Sequence, residues 1–147
     1  MSIDDTSSAL YNVPLNDYSP ALFEFSDPAS GRLLAAALDE QFRLVTTANP
    51  VARRRAVQLY ANGLGPVTST PSTGEPSPVQ PLASSRVTPE VTVGGRPARV
   101  LFSGLAPGFV GLYQINVEIP EDAPVGVQPL VVTVEGVSSK TASLPIN

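Results

Sequence analysis

The stretch from Leu112 to Gly136 reads "LYQINVEIPEDAPVGVQPLVVTVEG", and it decides the fold class. Its first part alternates strictly, with apolar side chains at 113, 115, 117 and 119 and polar ones between them. Because successive side chains of a β-strand point to opposite faces, this pattern predicts a strand with one buried face. Beyond a proline-bounded turn the alternation returns, and we expect Leu130, Val132 and Val134 to face inward.

The residues before this stretch carry similar signals. "PEVTVGGRPARVLF", residues 89–102, has a β-type run on each side of a Gly-Gly pair, which predicts a hairpin. In its second run Ala98, Val100 and Phe102 share one face. "AVQLYANGLG", residues 56–65, predicts a strand that ends in glycine turns. Six or so short strands between residues 51 and 147 are typical of a β-sandwich.

Two segments are harder to assign. The stretch 65–90 is rich in Pro, Ser and Thr and has few residues able to build a core, so it predicts an extended, polyproline-like surface loop. "LLAAALDEQFRL", residues 33–44, consists of good helix formers, yet turn-like residues flank it and the adjoining "FEF" and "LVTT" resemble strands. The local residues leave helix and strand equally open there.

Composition excludes several classes of function. Charged residues make up 15% of the 147, against about 25% in an ordinary soluble domain. The net charge of −4 argues against nucleic-acid binding, which needs a basic patch to displace counterions. The chain has no Cys and no His, so thiol chemistry, cysteine zinc sites and the usual catalytic triads are excluded.

The sequence gives two alternatives for location. No apolar run approaches the roughly 18 residues that a membrane span needs. The opening "MSIDDTSS" is polar and acidic and lacks the pattern of a signal peptide. Either the protein is cytoplasmic, or the chain is a piece of a longer secreted protein.

The two ends of the chain are alike. "SSALYNVPLN", residues 7–16, and "SSKTASLPIN", residues 138–147, share both serines, the proline and the final asparagine. Val13 corresponds to Leu144 and Leu15 to Ile146. Similarity at a domain-sized spacing suggests a repeating array in which each domain closes with such a strand. Chance likeness between two short β-strands is the alternative.

The stretch "TVGGRPARVLFSGLAPGFVGLYQINVEIPEDAPVGVQPLVVTVEGVSS", residues 92–139, resembles an uncharacterised C-terminal domain family of secreted acidobacterial (Solibacter-type) proteins. The motifs that carry the resemblance are four: Gly63–Pro66, Val93–Gly95, Ala106–Asn116 and Pro129–Ser139. The resemblance also reaches upstream, where residues 19–50 look like the linker after a preceding unit. One departure is Arg53-Arg54-Arg55, where the family usually has a proline-glycine turn.

The resemblance implies a fold and a setting but no catalytic residue. It implies an all-β, immunoglobulin-like sandwich over residues 51–147, preceded by an N-terminal strand and hairpin extension over residues 1–50. It implies a secreted or cell-surface location in a multidomain protein. It also favours the hairpin for residues 33–44, turning at Asp39 to Gln41.

The duplicated strand motivates an assembly hypothesis. A strand without its own sheet exposes unpaired backbone groups, so residues 7–16 should pack on this domain or complete the sheet of a neighbouring molecule. The apolar side chains that would do so are Leu10, Tyr11, Val13 and Leu15. Donor-strand exchange of this kind is a route to homo-oligomers or filaments.

Other candidate sites are weaker. Phe109 is either an exposed contact residue or a plug at one end of the sandwich, and Arg53, Arg54 and Arg55 form either an anion contact or a solvated surface. Lys140 next to Ser139 suggests a Ser-Lys pair, and Lys140 with Asn12, Asn116 and Glu118 suggests an isopeptide. Strand geometry disfavours the Ser-Lys pair, because neighbouring residues on a strand point to opposite faces. The isopeptide is disfavoured because a lysine is more often simply exposed. The adjacent acids Asp4-Asp5, Asp39-Glu40 and Glu121-Asp122 fall in tails or turns.

The sequence therefore predicts a non-enzymatic extracellular domain that spaces, adheres or assembles. Its expected partners are other protein domains or copies of itself, with glycans as a further class. The alternative is an accessory ligand- or carbohydrate-binding module of a larger secreted enzyme. We expect no cofactor, and calcium is the one metal for which oxygen ligands at Asp27, Asp39, Glu121 and Asp122 would be suitable.

Overall fold

A computed structural model describes residues 2–3, 6–7 and 9–147. Over these residues the chain forms strands and no helix, which confirms the all-β prediction. The strands are β1 (Ser2–Ile3), β2 (Thr6–Ser7), β3 (Ala21–Leu22), β4 (Glu24–Ser26), β5 (Leu33–Ala35), β6 (Ala37–Asp39), β7 (Ala56–Asn62), β8 (Glu90–Val93), β9 (Arg96–Leu105), β10 (Tyr113–Glu118), β11 (Gly126–Val134), β12 (Val137–Ser138) and β13 (Ala142–Ile146). The part of the chain that the structure describes therefore contains no apolar helix long enough to cross a membrane.

Most of the strands belong to one curled, antiparallel sheet. Its order is β12-β11-β8-β9-β10-β7-β3, with β13 paired to β11 and β6 paired to β7. Strand β9 changes partner along its length: residues 96–98 pair with β8, and residues 99–105 pair with β10. Because neighbouring strands twist relative to one another, a long strand shared in this way lets the sheet curl over its own inner face.

The inner face holds the core that the alternation predicts. Leu130, Val132 and Val134 of β11 are buried, as are the alternate residues of β7 and β10. The side chains that are fully buried and largest are those of Leu34, Leu59, Leu64, Ile115, Ile119, Leu130, Leu144, Ile146, Val45, Val57, Val91 and Val93. The predicted Gly-Gly hairpin is confirmed between β8 and β9.

Residues 33–44 form strands, so the helix alternative is wrong and the hairpin is confirmed. Strand β6 pairs with β7, and the chain then reverses, with Asp39 N–H donating to Arg43 O at 2.9 Å. Strand β5 pairs with β4 and lies against β13. Ala35 and Ala37 are fully buried, and their small side chains permit this close packing. Contacts with two other strands outweigh the modest helix propensity of alanine and leucine.

The Pro/Ser/Thr-rich loop 65–90 covers the outer edge of β9. Ser85 N–H donates to Ser103 O, and Leu105 N–H donates to Ala83 O, each at 2.8 Å. Pairing of this edge protects it from association with other chains. The loop contributes few residues to the core, and two of them, Val67 and Ala83, are buried against Leu105 in a small second cluster.

Candidate functional site

The most unusual surface is the segment from residue 9 to residue 17, which we call the arm. It belongs to no strand, and its apolar side chains are uncovered. The exposed fractions are 101% for Leu10, 87% for Tyr11, 67% for Val13 and 94% for Leu15. Single exposed apolar residues are normal, but four within six positions form a patch of the kind that marks an interaction site.

The arm and β13 have the same pattern but opposite burial. The repeat aligns Tyr11, Val13 and Leu15 with three inward-facing residues of β13, namely Ala142, Leu144 and Ile146. All three of these are buried. In the aligned pair Ser8–Ser139, Ser8 lies outside the described residues. The arm thus has the apolar pattern of a buried strand, but its apolar side chains are not buried in its own molecule.

The root of the arm is held by two glycines that follow β7. Ser19 N–H donates to Gly63 O at 2.9 Å, and the ring of Tyr18 lies against Gly65. Both glycines have positive φ, at 71° and 84°, and a Cβ on Gly63 would lie 2.0 Å from the oxygen of Ser19. Sequence reasoning identified the turn but missed this role. A pair of glycines directly after a buried strand is the signal that could have indicated it.

An apolar groove of about 350 Å³ opens beside the arm root. It lies between the start of the Pro/Ser/Thr-rich loop and the β9–β10 connection. The apolar side chains that line it are those of Pro66, Val67, Pro71, Leu105, Val110 and Tyr113. The Tyr113 hydroxyl donates to the backbone oxygen of Gly65. Burial raises the pKa of Tyr113, so this hydroxyl keeps its proton at neutral pH. We call this feature the groove, and the end of the molecule that carries it the groove end.

Phe109 lies next to the groove residue Val110 and is 57% exposed, so its ring is available for contact and does not fill the core. Its backbone oxygen accepts from Ser77 N–H at 2.9 Å. Ser77 itself is buried, and within the described residues its hydroxyl has no hydrogen-bond partner. The structure therefore fits Phe109 as an exposed contact residue better than Phe109 as a side chain that fills one end of the sandwich.

The three arginines form a turn in which two are already paired. Arg54 contacts Glu121, and Arg55 lies 3.6 Å from Glu40. Arg54 has a φ of 60°, and Arg55 N–H donates to Ala52 O at 3.3 Å, so the turn keeps the left-handed position that a proline-glycine turn would have. These pairs reduce the charge that the segment offers to an anion.

The acidic candidates have hydrogen-bond or ion-pair partners in this structure. Asp27 accepts from the hydroxyls of Ser30 and Thr47, each at 2.5 Å, and these bonds hold its pKa below the ordinary value. Asp122 lies 3.3 Å from Arg96. Within the described residues no group of three or more His, Cys, Asp or Glu side chains could hold a metal ion. Asp4 and Asp5 lie outside those residues.

Asp39 caps the β6 turn. Its carboxylate accepts from the backbone N–H groups of Gln41 and Arg43, each at 2.9 Å, and from the Arg43 guanidinium at 2.9 Å. Asn49 donates to it at 3.3 Å. Burial raises the pKa of Asp39, but these hydrogen bonds lower it more, to about 2 from 3.8.

The lysine candidates are not assembled into a reactive site. Lys140 is exposed, and the Ser139 hydroxyl donates to the backbone oxygen of Lys140 at 2.8 Å, so its proton is held away from the amine. Glu118 pairs with Arg99 at 2.5 Å, and Asn116 accepts from Gln114 at 2.8 Å. Each proposed isopeptide partner on β10 therefore already has another contact.

Searches against protein-family models, curated proteins and solved structures find no match to this chain.

Proposed function

We propose that this chain is a non-catalytic structural or interaction domain of a secreted or cell-surface protein, which spaces, adheres or assembles through its arm. The observation that carries the proposal is the exposed arm, whose apolar pattern duplicates the buried strand β13. The absence of His and Cys from the sequence supports a role without catalysis. The resemblance of residues 92–139 to a family of secreted proteins supports the location.

The physical argument for assembly is the free energy available from covering the arm. Tyr11, Val13 and Leu15 occupy every second position, so an extended arm presents them on one face. Fully burying a Val or Leu side chain contributes about 1.5–3 kcal/mol. Pairing the arm with an exposed sheet edge would add backbone hydrogen bonds, as in strand addition. Other protein domains or copies of this chain are the partners that fit this chemistry, and repeated exchange would give filaments.

For the fold we propose an immunoglobulin-like sandwich with a strand and hairpin extension. The pairings support two groups of strands, β6-β7-β10-β9 and β8-β11-β13. Taken in chain order, these correspond to the ABED and CFG sheets of a constant-type immunoglobulin domain. Val51, which precedes β7, forms a parallel bridge with Ile146 at the end of β13. This link between the two groups also supports the immunoglobulin-like assignment.

The first experiment compares the intact chain with a variant that lacks residues 1–16, using size-exclusion chromatography with light scattering beside negative-stain imaging. We expect the intact chain to associate as its concentration rises and the truncated chain to remain monomeric. Intact chain that stays monomeric at high concentration would contradict assembly through the arm.

An accessory ligand- or carbohydrate-binding module is the second candidate, and the groove is the observation that favours it. Its volume of about 350 Å³ lies within the range of small-molecule sites, roughly 300–1,000 Å³. Calorimetric titration of the monomeric, truncated chain with soluble oligosaccharides tests this candidate. Saturable heat that Tyr113→Ala abolishes would support it, and no heat at millimolar glycan would argue against it.

A further inference from the structure

We infer that the arm of one copy binds the groove of a second copy, whose own arm binds the first, so that two chains form a closed, two-fold dimer. The inference rests on the proposed assembly through the arm and specifies the receiving surface and the symmetry. The proposal commits to one occupant of the groove, the apolar segment 10–15 of another copy.

The arm root and the groove lie at the same end of the molecule. Strand β7 reaches the arm root at Asn62, which pairs with Ala21. The preceding residue, Ala61, pairs with Tyr113, which lines the groove. Gly65 joins the two features, because its oxygen accepts from the Tyr113 hydroxyl and its α-carbon lies against Tyr18. Pro66, the next residue, already belongs to the groove.

The arm is long enough to reach a facing molecule. From Asp17 back to Leu10 it has eight residues, which span at most about 26–29 Å when extended. In its own molecule the arm leaves the groove open, since its apolar side chains are all at least two-thirds exposed. Two copies that meet at their groove ends can therefore exchange arms without unfolding either sheet.

The chemistry of the groove suits the arm better than that of two other clefts. One of these, about 370 Å³, includes Glu24, Ser138 and Lys140 in its lining. The other is a charged cleft. That cleft, about 260 Å³, lies at the opposite end and is lined by charged residues that include Asp39, Glu40, Arg43 and Arg55. Apolar side chains placed there would strip water from charged groups without replacing their hydrogen bonds. The groove offers mainly apolar side chains, including Pro66, Val67, Leu105 and Val110, with Glu75 as the one charged residue among the described residues that line it.

The placement also determines the symmetry. An arm that bound the opposite end of the next molecule would give an open, head-to-tail chain. An arm and a groove at one end give an isologous contact, in which each copy contributes the same two surfaces and the assembly closes at two. The expected product is therefore a dimer rather than a filament.

Two matched variants test the groove. Val110, in the groove, and Val125, in the turn after β10 at the opposite end, are both 59% exposed. Val110→Asp should weaken dimerisation at least about tenfold, because the arm would have to bury an unpaired carboxylate. Val125→Asp should leave the dimer unchanged. Light scattering measures the association, and thermal unfolding below the dimerisation concentration checks that both monomers fold equally well.

A crosslink tests the contact directly, since the sequence has no cysteine. A Val13→Cys chain mixed with a Val110→Cys chain under mild oxidation should form a disulfide between copies, identified by mass spectrometry of the joined peptides. The mixture of Val13→Cys with Val125→Cys is the control and should give little disulfide-linked product between these two positions.

Each outcome bears on a different claim. Dimers lost both on truncation and in Val110→Asp support the inference. Dimers or polymers that need residues 1–16 but persist in Val110→Asp overturn the groove while the proposed function stands. An intact chain that remains monomeric overturns both. A Val13→Cys/Val110→Cys double variant tests whether the arm binds the groove of its own molecule. A disulfide that forms within one chain of this variant, and not between chains, would also overturn the dimer.

Discussion

At the scale of single residues, Arg54 and Asp39 each hold a turn whose position the sequence indicates but whose contacts only the structure shows. Arg54 adopts the left-handed conformation that a glycine would adopt without strain. Asp39 supplies the acceptors that close the turn after β6. Each also contacts a residue outside its turn, Glu121 for Arg54 and Asn49 for Asp39.

Arg54→Gly should stabilise the protein. The left-handed conformation costs a non-glycine residue about 1–2 kcal/mol, and the extra entropy of unfolded glycine returns about 0.5–1 kcal/mol of that. The lost contact with Glu121 matters little because both side chains are mostly exposed. We expect a net gain of about 0.5–1 kcal/mol in denaturant unfolding. Arg54→Ala, which keeps the strain and loses the same contact, is the control and should show no gain.

Asp39→Asn should reduce stability in a pH-dependent manner. Because folding lowers the pKa of Asp39 from 3.8 to about 2, its ionised form stabilises the fold above 3.8, and that contribution disappears as pH falls through 2. The melting temperature of the natural chain should exceed that of Asp39→Asn most above about pH 5, and the difference should narrow toward pH 2. A difference that stays constant over this range would show that the charge of Asp39 is not the cause.

At the scale of elements, β13 and the arm show how position decides the role of a strand-like sequence. Leu144 and Val13 occupy equivalent positions in the repeat. Leu144 is fully buried against the sheet, while Val13 is two-thirds exposed. The same local pattern therefore contributes to the core at one end of the chain and to a potential contact at the other.

Truncation of these two side chains should separate the roles. Leu144→Ala should lower the free energy of unfolding by about 2–5 kcal/mol, because it leaves a cavity in the core. Val13→Ala should change the free energy of unfolding of the monomer by less than about 0.5 kcal/mol. Urea unfolding at low protein concentration measures both. Equal destabilisation by the two changes would mean that the arm packs on its own molecule.

At the scale of the whole molecule, the N-terminal extension and the region 51–147 share one sheet. Strands β3 and β6 both pair with β7, and Leu34, Ala35, Ala37 and Val45 are fully buried. The resemblance implies a boundary between residues 50 and 51. The sheet crosses that boundary, because strands from both sides of it are paired. The arm, in contrast, contributes no pairing within the described residues.

Two truncations test how far the folding unit extends. Removal of residues 1–16 should leave the melting temperature of the monomer unchanged. Removal of residues 1–50 should abolish cooperative unfolding, because Leu34 and Val45 alone contribute about 1.5–3 kcal/mol each out of a total of roughly 5–15 kcal/mol. Circular dichroism during heating distinguishes the two. A cooperative, stable 51–147 fragment would show that the extension is a separate appendage.

The sequence by itself determined the all-β class, the strands β7 to β11 and the inward faces of β10 and β11. Strands β7, β10 and β11 follow from alternation over five or more residues, which reports directly on one buried face, and the β8–β9 hairpin follows from the Gly-Gly pair. It also marked the arm as a candidate, through the repeat. Only tertiary structure decided that residues 33–44 form strands, because contacts with β7 and β13 outweigh a weak local preference for helix. Tertiary structure also placed the arm root beside an apolar groove, since Tyr18, the Gly63–Pro66 turn and Tyr113, which meet there, are far apart in the chain.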